Sequence, residues 1–378
     1  MQHNMQQPDS IIKINNNNMP QRGVKGRVFE KMKKFLSSAL VLLLVLVGLF
    51  AMTGCESKPV LRLYNWYDYM DESILKEFEK EYGCTVRVSY FTDNEGMLTK
   101  LQAPGANYDL LFPSDYTVQR LIALDMLAEL NHANIPNIEN IDKKYLDMSY
   151  DMGGKYSVPY MWGTVGILYN KNKVSDEVNS WDILWNEKYA DEIYMLDSSR
   201  DSIGLALMRR GYSLNDRSDE ALAAAKEELM KQKPLVKSYY VDETKGMMAK
   251  GNGALGVVYS GDAIIAMAEA DFLDYALPEG GTNVWFDAVC IPKSSTNKEL
   301  AEKFIDFLCR GDIAFRNADY IGYCTPNKLA YEQLDEEIKN NKKIYPDEEY
   351  LKKCEVFVDL GDKADDFDKL WLSVTSGK

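Results

Sequence analysis

Apolar and polar positions alternate over residues 60–64 and again over 85–90, and both stretches read as strands. Between them Ile74, Leu75, Phe78 and Tyr82 recur at helical spacing, so 72–82 predicts an amphipathic helix stopped by Gly83. A short helix is expected over 96–102, a third strand over 108–113, and a helix from there through Leu127. Strand, helix, strand, helix, strand is the layout of a parallel α/β unit. In such sheets ligands sit beyond the carboxyl ends of the strands. Two clusters rich in aromatic and polar residues fall there, 66–69 and 114–116.

The stretch 156–170 has a strand pattern interrupted by glycines, as at a crossing between domains. A second α/β unit follows: a short helix over 180–184, a strand over 192–196 running into Asp197–Asp201, and helices over 203–210 and 218–232. Strands at 253–259 and 271–277 complete it, the first ending at Ser260, Gly261 and Asp262. Gly280 and Gly281 then break the chain, 285–291 reads as a strand returning toward the first unit, and Pro292 closes it. Trp285 and Asp287, two apart, share a face of that strand. A π-face beside a carboxylate suits an organic cation, which the ring attracts and the carboxylate pairs. The alternative is a core tryptophan and an aspartate that caps a turn. Thr296 and Glu299 have the spacing of a capping box ahead of a helix that buries Leu300, Phe304, Ile305 and Leu308. A loop spans 321–327, and the remainder reads as a helical, acidic tail.

A chain of 378 residues suggests two domains, and 46% hydrophobic content is ample for a sizeable core. The N-terminus reads differently. Lys31, Lys33 and Lys34 precede an apolar run over 39–52, which fits a secretory signal better than a span needing about 20 apolar residues. Thr53-Gly54-Cys55 follows and resembles a bacterial lipoprotein cleavage site, with Met52 where leucine is usual. That resemblance implies that 1–54 is a leader and that Cys55 becomes the lipidated first residue. Asn15 to Asn18 form a polar low-complexity run, and Met32 opens a normal-looking signal, so it is a candidate true start.

The whole chain carries a net −14. Removing 1–54, with seven basic and two acidic residues, leaves 37 basic against 56 acidic, a net −19. Such a surface argues against nucleic acid and is compatible with a cationic ligand. Cys84, Cys290, Cys309, Cys324 and Cys354 are scattered, with no CxxC, which points to buried thiols rather than a zinc site or a disulfide framework. After the leader only His132 remains for acid–base work, and no GxSxG, P-loop or HExxH pattern accompanies it. These absences lower the enzyme reading sharply: the chain is expected not to be an enzyme and to need no cofactor or metal.

Five stretches carry a family resemblance: Leu63-Tyr64-Asn65-Trp66-Tyr67-Asp68-Tyr69, Tyr108-Asp109-Leu110-Leu111-Phe112-Pro113-Ser114-Asp115-Tyr116, Pro159-Tyr160-Met161-Trp162-Gly163, Trp285-Phe286-Asp287 and Ile321-Gly322-Tyr323-Cys324-Thr325-Pro326-Asn327. In this order and spacing they resemble the periplasmic spermidine/putrescine-binding proteins of ABC transporters, from about Val60 to the end. The resemblance implies a two-lobed α/β fold of the type II periplasmic-binding-protein kind, each lobe a mixed sheet flanked by helices, with ligand in the cleft. Lobe 1 would comprise 60–163 and 287–331, lobe 2 164–286 and 332–378.

The resemblance also implies roles. Trp66 and Trp285 would flank a methylene chain, Asp287 would pair with an ammonium, and Tyr69, Ser114, Tyr116 and Tyr323 would add ring faces or hydroxyls. Asp201 falls where the family places a carboxylate, Tyr259 where it has tryptophan, and Asp262 where putrescine-selective members have a carboxylate contact. Asp68 is glutamate or serine elsewhere in the family. Ser198 replaces the aspartate of spermidine-preferring members, which tilts the choice toward putrescine. Asp368 is the nearest candidate for a terminal-helix contact. Singly, Asp68 and Asp262 also read as helix caps, and Asp201 as a partner of Arg200. The implied protein is a monomer, lipid-anchored outside the cytoplasmic membrane or periplasmic, that delivers polyamines to an ABC permease. The competing binding reading is ferric ion or thiamine on a related fold, with Tyr239 and Tyr240 as the tyrosine pair an iron site would use.

Overall fold

The computed structural model describes residues 58–376, together with Met32, Lys33, Phe35 and Ser37 of the preceding unit, which are helical. Apart from those four residues, the predicted leader lies outside the described residues, as does the lipidated Cys55. No described helix is long and apolar enough to cross a membrane.

The nine strands among the described residues are β1 (Val60–Trp66), β2 (Thr85–Phe91), β3 (Leu110–Leu111), β4 (Ser157–Asn170), β5 (Ile193–Leu196), β6 (Val236–Tyr240), β7 (Leu255–Tyr259), β8 (Leu273–Ala276) and β9 (Val284–Cys290). They form one curled sheet in the order β2-β1-β3-β9-β4-β7-β5-β6, with β8 also on β4. Pairing is parallel among β1, β2 and β3 and among β5, β6 and β7, and antiparallel wherever β4 or β9 takes part.

The strand β4 belongs to both halves. Its residues from Ser157 to Thr164 pair with β9, and its residues from Val165 to Asn170 pair with β7 and β8. The interruption expected at its glycines does not occur: the strand is continuous for 14 residues. The glycines serve close approach instead. A Cβ on Gly163 would fall 2.6 Å from the Trp285 ring, and one on Gly166 would meet the ring of Tyr275.

The helices used below are α1 (Glu72–Tyr82), α2 (Asn94–Gln102), α3 (Asp115–Ala123), α4 (Ser199–Arg209), α5 (Asp219–Gln232), α6 (Glu243–Ala249), α7 (Ser260–Glu269), α8 (Lys298–Leu308), α9 (Gly311–Ile321) and α10 (Ala364–Thr375). The helix α1 has the predicted bounds. Asp71 caps it by accepting from Ser73 N, and Gly83 ends it at φ 64°. Its buried Ile74 and Phe78 lie against β1 residues Leu61 and Leu63, and Phe78 meets the Phe304 ring edge-on at 4.8 Å. In the other half Ile203 of α4 and Leu229 of α5 pack with Phe367 and Val374 of α10, which docks the C-terminal tail.

Several expectations need correction. The third strand contracts to two residues, because Pro113 lacks the N–H that would extend the ladder, and α3 stops at Ala123. The helix α8 begins at Lys298 with Asn297 at the cap position and no side-chain cap bond. The expected box fails because Ser295 Oγ already accepts from Asn297 N, bending the chain one residue past Thr296. Ala301 replaces half-buried Leu300 on that helix's buried face. The elements β6, α6 and α7 were not anticipated. The five described cysteines are free thiols, four of them buried.

Candidate functional site

A cavity of about 800 Å³ opens where the carboxyl ends of β1, β2, β3, β5 and β7 converge on the face of β9. That volume suits a small ligand. All eleven residues singled out in the sequence line it: Trp66, Asp68, Tyr69, Ser114, Tyr116, Asp201, Tyr259, Asp262, Trp285, Asp287 and Tyr323.

The strand β9 delivers Trp285 and Asp287 side by side, both buried. Asp287 Oδ2 accepts a hydrogen bond from Tyr69 OH at 2.8 Å, while Oδ1 is buried and meets no donor at hydrogen-bonding geometry. Burial pushes its carboxyl up to about 6, against the opposing pull of the Ser114 and Tyr69 hydroxyls. Tyr69 is itself held in place. Its carbonyl accepts from Tyr160 OH at 2.7 Å, and Tyr160 OH accepts from Asn317 Nδ2 at 2.6 Å. Asn317 Oδ1 in turn accepts from Asp71 N, the cap of α1. A buried polar relay thus ties the carboxylate partner to two helices.

The aromatic walls are built from both halves. Trp285 meets Tyr323 edge-on at 4.9 Å and Tyr259 at 5.8 Å, and Tyr69 meets Tyr323 at 5.7 Å. Tyr323 fits only because position 261 is glycine; any Cβ on Gly261 of α7 would collide with its ring. Across the cavity Trp66 packs on Phe91 at 4.3 Å, and its Nε1 donates to Phe112 O at 2.8 Å.

The second half supplies two more buried carboxylates. Asp201, in the first turn of α4, accepts from Ser198 Oγ at 2.7 Å and from Tyr259 OH at 3.0 Å. Burial raises its carboxyl, with the Ser198 and Tyr259 hydroxyls opposing. Its expected partner, Arg200, turns away: the guanidinium lies 4.6 Å from the Tyr116 ring centre and 4.4 Å from that of Phe357, and donates to Val358 O. Asp262, at the start of α7, accepts from Lys245 Nζ at 2.8 Å and from Tyr323 OH at 3.2 Å. Asp68 is exposed at the rim with φ 51° and accepts from Tyr320 OH, so the cap of α1 is Asp71 and not Asp68.

Sequence reasoning missed several lining residues. Asn94 and Glu95 open α2, directly beyond β2, and the rule of strand carboxyl ends would have found them. Asn94 Nδ2 donates to both Ser114 Oγ and Tyr116 OH, and Tyr116 OH donates to Glu95. Asp115 is buried with backbone donors Phe286 N and Tyr116 N, and burial pushes its carboxyl up to about 8 against the pull of those two N–H groups. Asp368 of α10, named in the sequence as the candidate terminal-helix contact, lines the cavity and accepts from Ser199 Oγ. No sequence signal marked Lys245, the sole basic side chain among the described lining residues.

The iron alternative loses its pair. Tyr239 and Tyr240 are neighbours on β6, so their rings leave on opposite faces: Tyr239 meets Trp371 at 5.2 Å and Tyr240 stacks on Tyr194 at 5.9 Å. Among the described residues no cluster of three or more His, Cys, Asp or Glu is placed to hold a metal ion. His132 Nε2 contacts Gly154 O at 2.7 Å, outside the cavity lining.

Aromatic walls, unsatisfied acid and a cleft between two halves of one sheet define a binding protein for small solutes. Residues 73–346 match the family model described as bacterial extracellular solute-binding protein, and the chain belongs to that family. It is a binding protein and not an enzyme. Among relatives, the spermidine/putrescine-binding periplasmic protein of Salmonella typhimurium is 33% identical over 350 residues, covering 92% of this chain and 100% of that one. The spermidine/putrescine ABC transporter substrate-binding protein PotD of Streptococcus pneumoniae is 38% identical, with a TM-score of 0.74 over 84% of this chain and 99% of that one. The TpPotD lipoprotein of Treponema pallidum is 27% identical, with a TM-score of 0.74 over 83% and 99% of the two chains. The fold is the two-lobed type II periplasmic-binding-protein fold, and relatives of this chain are extracytoplasmic.

Proposed function

We propose that this protein captures polyamines, putrescine and/or spermidine, in the cavity and delivers them to an ABC importer. The observation that carries this reading is Asp287 Oδ1, a buried acceptor without a donor on the strand that also presents Trp285 to the cavity. A buried carboxylate lacking a cation is costly, and an alkyl ammonium, protonated at neutral pH with a pKa near ~10.4, relieves that cost. The second ammonium goes to Asp201. Trp66 and Trp285 flank the methylene chain, with Tyr69, Ser114, Tyr116, Tyr259 and Tyr323 supplying ring faces and hydroxyls and Asp68 standing at the rim. Names of relatives that bind spermidine and putrescine support the ligand class and the ABC partnership.

Lipidation of Cys55 anchors the mature chain to the outer face of the membrane; a lipoprotein relative supports this. The protein acts as a monomer, and its lobes divide as 60–163 with 287–331 and 164–286 with 332–378. Calorimetric titration with putrescine, spermidine, spermine and thiamine tests the function. Saturable heat from an aliphatic diamine or triamine is the expected result, and its absence for every amine refutes the reading.

A further inference from the structure

Lys245 projects from α6 into a cavity otherwise lined by acids and neutral side chains. Its Nζ stands 2.8 Å from Asp262 Oδ1, with side-chain exposures of 27% and 8%. Three acidic groups from three elements face the ammonium: Asp262 of α7, Asp242 just before α6 and Asp68 beyond β1. A lysine head is an alkyl ammonium, chemically the same group as a polyamine terminus. Here it sits on one of three buried lining aspartates that accept from tyrosine hydroxyls, the fourth, Asp115, being held by backbone N–H groups.

We propose that Lys245 is a specificity-determining residue: its tethered ammonium fills the Asp262 subsite, so that the cavity accepts two ligand ammoniums and disfavours a third. This inference rests on the polyamine reading and adds the count of charges to it. A diamine meets Asp287 and Asp201 while Lys245 stays in place. A triamine must either lie beside a like charge or displace it from Asp262, and like charges across a binding surface are strongly disfavoured. The selection works by repulsion, since Lys245 touches no part of a bound diamine.

The test compares the unsubstituted protein with Lys245→Gln and Lys245→Arg, each confirmed as folded by its melting transition, in titrations with putrescine and spermidine. Lys245→Gln is expected to raise the spermidine-to-putrescine affinity ratio about tenfold or more, while Lys245→Arg keeps the original ratio. A ratio within twofold of the unsubstituted value in Lys245→Gln overturns the inference, as does a parallel loss for both amines, which marks the ion pair as a brace between α6 and α7. In 15N-lysine-labelled protein, the Lys245 ammonium signal, assigned by its absence from Lys245→Arg, is expected to remain salt-bridged at saturating putrescine; its release also overturns the inference. The two readings fail differently. Binding of a diamine with an unchanged ratio sinks only the Lys245 role. Absence of binding to every form sinks both, and amine binding by Lys245→Gln alone retains the tethered cation while refuting capture by the natural chain.

Discussion

Asp287 and Asp262 make an instructive pair. Each is 6% exposed, each accepts a hydrogen bond from a tyrosine hydroxyl, and each borders the same aromatic wall. The difference lies in the other oxygen. Asp262 Oδ1 holds a lysine ammonium at 2.8 Å, whereas Asp287 Oδ1 holds nothing. One acid has its counter-ion built into the chain, and the other is left for a cation that arrives from outside. Buried charge without a partner is unfavourable for folding and favourable for binding, so the same residue type serves opposite ends at two places about one cavity.

The strongest way to break this contrast is Asp287→Asn. Removing one member of a buried charge pair costs about 2–5 kcal/mol, so putrescine affinity should fall roughly 30- to 5,000-fold and the ligand-induced rise in Tm should vanish. The ligand-free variant should melt no lower than the parent, because a buried unpaired charge has gone. Titrating pH comes next. The ligand-free carboxyl of Asp287 is pushed up to about 6, so it takes a proton below that value and loses its hold on an ammonium. Affinity should drop by about tenfold between pH 7 and pH 5. The raised value also means that Asp287 favours folding at low pH and that this contribution is lost as pH rises through 6. The slope it adds to ligand-free stability should be missing from Asp287→Asn.

Asp262→Asn should behave in the reverse manner. It strands the Lys245 ammonium, which is partly exposed, so stability should fall by about 1–2 kcal/mol in a denaturant titration while putrescine affinity changes less than about tenfold. The mildest probe is the tyrosine pair. Tyr69→Phe removes one of the two hydroxyls, with Ser114, that favour the Asp287 carboxylate, and should weaken putrescine by about fivefold, roughly 1 kcal/mol, the worth of one ordinary hydrogen bond. Tyr323→Phe, whose acid keeps its lysine, should do less. Equal effects in isothermal titrations of the two variants would erase the distinction between the two acids.

Elements that declare themselves by local rules were legible in the sequence. The helix α1 has an aspartate cap, a 3.6-residue apolar period and a terminal glycine, and its bounds came out as predicted. The Trp285–Asp287 pair was legible because a strand fixes which side chains are neighbours. The Asn94–Glu95 corner was legible in principle from its place beyond β2 but lacked a large aromatic to draw attention. What was not legible was set by distance along the chain. Gly163 and Gly166 signalled a break by composition, yet each makes room for a ring contributed more than a hundred residues later. Lys245 occupies an ordinary position on a short helix, and its meaning comes only from an aspartate 17 residues on. Arg200 stood next to Asp201 in sequence and chose aromatic faces instead.

The shared strand β4 has a mechanical consequence. Its first part is laddered to β9 and its second to β7 and β8 without a loop between them. Parting the two halves must therefore flex a hydrogen-bonded ribbon, in the manner of a leaf spring, rather than swing on a slack tether. A laddered strand has little disorder to lose when the halves close, so more of each ligand contact is retained as affinity.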